Sequence, residues 1–152
     1  MGVGMARVQG EIIIRRAVEE VFDFVADERN EPRYNRRMIH AEQISEGAIG
    51  LGARFRTELT TVGRTMPMTV EFTGFERPRL LASRTRSSMM ETEGALTFEP
   101  VAGGTRMRWS WDVRPRGPLK VMTPLVGVLG RRQERAIWGE LKRLLEARKG
   151  GS

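Results

Sequence analysis

The sequence contains no cysteine and a single histidine. The first absence excludes a disulfide framework, thiolate zinc sites and a cysteine nucleophile. The second excludes a multi-histidine metal cluster within one chain and leaves His40 as the sole candidate base for a Ser-His-Asp triad. One tyrosine, three tryptophans and six phenylalanines supply few platforms on which nucleic-acid bases could stack. No apolar run approaches the roughly 20 residues of a membrane-spanning helix. The longest, Val121 to Gly130, is interrupted by Thr123, Pro124 and Gly127. The N-terminus lacks the charged start, apolar stretch and small-residue cleavage site of a signal peptide. These absences lead to the expectation of a cytoplasmic domain with no metal and no cofactor.

What is present fits one domain. The chain has 152 residues, enough to bury a sizeable core. The expected domain runs from 6 to 149, with flexible ends at 1–5 and 150–152. The net charge is +7, carried by 23 arginines and only three lysines against 19 acidic residues. The arginines are scattered from Arg7 to Arg148. Pairs such as Arg15-Arg16, Arg36-Arg37 and Arg131-Arg132 are too short to act as nucleic-acid arms. A solvated surface explains most of them, so no specific nucleic-acid partner is expected. Weak contact with a membrane surface stays open, and a monomer and a homodimer both fit.

Periodicity orders the elements. Val8 to Arg15 is expected as a strand, with Ile12, Ile13 and Ile14 supplying β-branched bulk. Val18, Val21, Phe22 and Val25 then form one apolar helical stripe. Asp27 to Asn35 is a break holding a short second helix with Tyr34. From Met38 the period is two, over Met38 to Ser45, Ala53 to Thr61 and Met66 to Phe72. It continues over Leu80 to Arg86, Glu91 to Glu99 and Met107 to Val113. Gly63 and the Ala102-Gly103-Gly104-Thr105 run mark hairpins. After a linker at Pro115 to Pro118, Lys120 to Lys149 is expected as one long helix, weakened or bent by Pro124, Gly127 and Gly130. One polar face on each strand points to an α+β fold whose antiparallel sheet has one solvated side and one side covered by helices.

Several segments in this order resemble the START-like superfamily, also called SRPBCC, and within it the polyketide cyclase/dehydrase-like and lipid-transport-like group. They are Glu11 to Ile14 followed by Ala17 to Asp27, the aromatic Tyr34, Gly50 to Phe55, Gly103 to Trp109, and Leu141 to Glu146. Together they cover nearly the whole chain. The resemblance implies a helix-grip fold, in which a curved seven-stranded antiparallel sheet wraps the long C-terminal helix around an apolar cavity. The superfamily includes lipid carriers, hormone-binding proteins and aromatase/cyclases, so function must come from the site.

If the sheet grips the helix, its inward faces hold Phe55, Thr57 and Leu59, then Met66, Met68, Val70 and Phe72. Leu96, Phe98, Met107, Trp109 and Trp111 follow. On the helix, Met122, Leu125, Val126, Leu129, Ala136, Ile137, Leu141 and Leu144 share an apolar arc. Gln133 and Glu140 fall inside that arc. A buried, unpaired carboxylate costs several kcal/mol, so Glu140 either anchors a ligand, faces a wet cavity or pairs with an arginine at the rim. The expected ligand-binding set is Phe55, Leu59, Met68, Val70, Phe72, Leu96, Trp109, Trp111, Leu129, Gln133, Ile137 and Glu140. The expected function is binding or transport of a hydrophobic small molecule such as a lipid, polyketide or aromatic, with Gly117 to Gly130 as a gate. The alternative is a polyketide cyclase or dehydratase. Its candidate groups would be His40, Tyr34, Glu140 and an inward arginine, Arg84 or Arg86. A filled core with no ligand is the plain reading of the same apolar stripes.

Overall fold

A computed structural model describes residues 4–61 and 63–148. Lys149, expected to end the long helix and the domain, lies outside the described residues, as do 1–3 and 150–152. Strand β1 (Ala6–Ile14) leads into helix α1 (Val18–Ala26) and a 3₁₀ helix at Glu28–Arg33. Six strands follow: β2 (Met38–Gln43), β3 (Arg54–Thr61), β4 (Arg64–Glu76), β5 (Leu80–Arg86), β6 (Met90–Val101) and β7 (Gly104–Pro115). A second 3₁₀ helix at Gly117–Met122 precedes helix α2 (Thr123–Glu146). The strands form one antiparallel seven-stranded sheet in the order β1-β7-β6-β5-β4-β3-β2. It curves around α2 as a helix-grip fold. No helix among the described residues is long and apolar enough to cross a membrane.

The start of the long helix differs from the expectation. Pro124 does not bend it but opens it, in the first turn, where a missing backbone N–H loses nothing. Gly127 and Gly130 do not break it either. A Cβ at Gly127 would stand 3.2 Å from the Ala6 side chain, and one at Gly130 would stand 3.2 Å from Val8. These glycines let α2 lie close against β1.

The two faces of the sheet separate by chemistry. The outer face carries the arginines in cross-strand pairs with carboxylates. Arg106 and Arg108 both reach Glu11 and Glu99, Arg84 and Arg114 reach Glu93, and Arg86 and Arg116 reach Glu91. Each exposed pair contributes little, but together they hold six arginines against four carboxylates on this face. Arg84 and Arg86 therefore point away from the cavity.

The inner face divides into a packed end and an open end. Under α1, Phe22 meets Phe75 and Phe98 edge-on at 5.3 and 5.2 Å, and Phe55 packs on Phe72 at 5.3 Å. Leu141 and Leu145 of α2 are fully buried, each contributing about 2 kcal/mol through burial. The end of α2 is also fixed by polar contacts. Arg16 Nε donates to Leu145 O at 2.8 Å, and Lys142 Nζ donates to Ile13 O at 2.7 Å. The first half of α2 is different: Leu125, Val128 and Leu129 are exposed.

Candidate functional site

Between the sheet and α2 lies a cavity of about 380 Å³. Its floor is built by the inward positions of successive strands. Strand β4 supplies Met66, Met68, Val70 and Phe72, β5 supplies Leu81, Ser83 and Thr85, and the turn after it Ser87. From β6 come Met90, Thr92 and Leu96, and from β7 Trp111 and Val113. The period-two alternation of each strand delivers these side chains to one side. Helix α2 roofs the cavity with Val126, Leu129, Gly130, Gln133, Glu134, Ile137 and Trp138. The segment after α1 closes one side with Glu28, Glu31, Tyr34, Asn35, Arg37 and Met38.

Nine members of the expected ligand-binding set line this space: Leu59, Met68, Val70, Phe72, Leu96, Trp111, Leu129, Gln133 and Ile137. Phe55, Trp109 and Glu140 do not. Phe55 is consumed by the aromatic packing under α1. Trp109 lies across Gly10 of β1, its register partner, and stacks on Trp138 at 6.2 Å. Glu140 sits at the rim and pairs with Arg143 at 2.7 Å and Arg36 at 3.8 Å. His40 is half exposed beside Glu42 at the sheet edge and does not line the cavity.

Two features of the geometry exchange Glu140 for Glu134. Trp138 and Leu145 are both buried, whereas Ala136 is exposed. The buried face of α2 is therefore rotated from the expected arc by about one residue, roughly 100°. That rotation brings Glu134 in, while Glu140 stays out because it lies beyond Trp138, the last residue of α2 to line the cavity; Gln133, seven residues earlier on nearly the same side, still lines it. The large apolar side chains of Trp138 and Leu145 were the signal for the rotation in the sequence.

Glu134 is held by two indoles. Trp111 Nε1 donates to Glu134 Oε1 at 2.5 Å, and Trp138 Nε1 donates to the same oxygen at 3.1 Å. The residue is half-buried by surface because it lines the cavity, but its carboxyl is densely surrounded by protein. Burial raises its pKa from 4.5 to about 7; the charge of Glu31 adds to the rise, and the two indole hydrogen bonds oppose it. Nearby, burial and then the charge of Glu31 push Glu28 well above the ordinary carboxylate range. Asn35 Nδ2 donates to Glu31 Oε2 at 2.7 Å. The Tyr34 ring is buried between Phe24 and Trp138, at 6.0 and 5.8 Å. Burial, followed by the charges of Glu31, Glu28 and Glu134, raises its phenol well above 10.0.

The site thus joins an apolar chamber to an acidic corner. Strands β5 and β6 add the hydroxyl side chains Ser83, Thr85 and Thr92 to the lining. Ser83 and Thr85 alternate with Arg84 and Arg86 on β5, and Thr92 with Glu91 and Glu93 on β6, and those charged side chains pair with one another on the outer face. Among the described residues no group of three His, Cys, Asp or Glu is arranged to hold a metal ion.

The comparisons with known proteins agree on architecture. The Zhui aromatase/cyclase from a Streptomyces species has a solved structure similar to this one. The TM-score is 0.79 at 15% identity, over 97% of this chain and 99% of that one. A START superfamily protein from Mycobacterium smegmatis also gives a TM-score of 0.79, at 14% identity, over 92% of this chain and 97% of that one. At these identities the likeness speaks for the fold. No functionally curated protein matches the chain. Residues 5–146 match the family described as polyketide cyclase / dehydrase and lipid transport, and the chain belongs to that family.

Proposed function

We propose that the protein binds or carries a hydrophobic small molecule (a lipid, polyketide or aromatic) in the cavity between sheet and α2. The cavity itself carries this reading. Its volume of about 380 Å³ lies in the range of ligand pockets, which are apolar with a few placed polar groups. Met66, Met68 and Met90 give the wall a surface that adapts to irregular shapes. Leu59, Met68, Val70, Phe72, Leu96, Trp111, Leu129, Gln133 and Ile137 are the proposed ligand contacts. The ligand enters past the first half of α2, where the exposed Leu125, Val128 and Leu129 mark the less firmly packed end of the helix. Native mass spectrometry of protein purified from its source organism tests this. A co-purifying apolar mass is the expected result. Absence of any adduct, together with no binding of a neutral fluorescent probe such as N-phenylnaphthylamine, would sink the reading.

A cyclase or dehydratase is the second reading, and one observation favours it. Glu134 presents to the cavity a carboxyl with a pKa of about 7, poised to give or take a proton near neutral pH. Turnover of a polyketide mimic that disappears in Glu134→Gln is its expected signature. No turnover in the unaltered protein counts against it.

A further inference from the structure

Of the carboxylates on α2, Glu134, Glu140 and Glu146, only Glu134 lines the cavity. Its two indole hydrogen bonds end on the same oxygen, Oε1. Among the described residues, Oε2 has no hydrogen-bond or ion-pair partner. An ionised carboxylate can accept about four hydrogen bonds, so acceptor capacity is left over at the cavity wall. The indoles come from β7 and from α2 itself, which fixes the orientation of the carboxylate before anything binds. Such preorganisation lowers the cost of recognition.

The surroundings set the sign of what this oxygen can hold. Glu28 and Glu31 line the same corner, with Tyr34 beside them. Arg37, the one cationic side chain along the cavity among the described residues, is exposed. An anionic headgroup placed here would meet three carboxyl groups. A cationic one would be neutralised by them, and it would satisfy Oε2 with a charge-assisted hydrogen bond.

We propose that Glu134 is a headgroup anchor selecting an apolar ligand that ends in a protonated amine, over the corresponding alcohol or carboxylate. This deepens the proposed function and rests on it. The apolar portion occupies the methionine-lined chamber, and the ammonium group donates to Glu134 Oε2.

Displacement of N-phenylnaphthylamine by decylammonium, decanol and decanoate tests the proposal. The measurement is made below micellar concentrations at roughly pH 8.5, where the Glu134 carboxyl is ionised and the amine still protonated. Decylammonium is expected to bind about tenfold more tightly than decanol, with decanoate weakest. In Glu134→Gln, decylammonium should lose its advantage over decanol, and retained binding of the neutral probe reports an intact cavity. Decanoate binding as tightly as decylammonium in the unaltered protein overturns the proposal. So does an ammonium preference that survives Glu134→Gln. The ranking in the unaltered protein decides the matter even if that variant does not fold. If the neutral probe and decanol also fail to bind, the cavity-binding reading fails first. If they bind without preference for the amine, only the anchor is lost.

Discussion

Trp111 Nε1 meets Glu134 Oε1 at 2.5 Å and so ties β7 to α2 across the wall of the cavity. The contact secures a carboxyl that burial has raised to about 7 from 4.5. Over that interval the folded protein binds more protons than the unfolded chain. The contribution of this group to stability is therefore full below about pH 4.5 and is lost as pH rises through about 7. Glu28, raised for the same first reason, acts in the same direction. Thermal unfolding followed by circular dichroism should show the Tm falling between roughly pH 5 and pH 8. Glu134→Gln should lessen that fall, recovering on the order of 2–3 kcal/mol at most at the upper end. A Tm slope identical in the variant and the unaltered protein would contradict the assignment.

Ser83 sits mid-strand on β5 and faces the cavity rather than a packed neighbour. Ser83→Phe should therefore place its ring in empty space. Probe affinity is expected to fall about tenfold or more while the Tm holds steady or rises slightly. A large drop in Tm with probe binding intact would mean that the ring has no room there.

Arg84 pairs with Glu93 at 2.9 Å on the outer face. Arg84→Ala should change stability by less than about 1 kcal/mol, and it should leave binding of any cavity ligand, charged or neutral, unaltered. Denaturant titration and probe displacement check the two halves. A selective loss of ligand affinity would indicate an inward role for this guanidinium.

Gly10 lies directly beneath the Trp109 indole, and a Cβ there would overlap the ring. Gly10→Ala should cost about 1–3 kcal/mol by displacing the indole. Because Trp109 stacks on Trp138, whose N–H holds Glu134, the shift should also appear in tryptophan fluorescence. An unchanged emission spectrum and Tm would show that β1 yields without moving Trp109.

Much of the architecture is legible in the chain. Leu80 to Arg86 occupies the strand it was expected to occupy, and the alternation of Met66, Met68, Val70 and Phe72 sends all four to the cavity. Backbone periodicity is a local property, so strand faces follow from composition alone. The long helix was harder because its apolar residues span more than one face. An arc centred on Ala136 and Leu144 and one centred on Trp138 and Leu145 both look continuous on a helical wheel. Which arc is buried depends on what the sheet offers opposite, and Gly127 and Gly130 against β1 help set the rotation.

The sequence by itself determined an antiparallel sheet with one apolar and one solvated face, which follows from residue type at a fixed period; the helix-grip architecture was implied by the family resemblance. Only the tertiary structure decided which carboxylate meets the cavity, because neither the rotation of α2 that brings Glu134 in nor the end of the cavity at Trp138 that leaves Glu140 out changes its helical propensity. Tertiary packing likewise decided that Phe55 and Trp109 fill space instead of lining it. Their neighbours, Phe72 in one case and Gly10 in the other, come from distant parts of the chain.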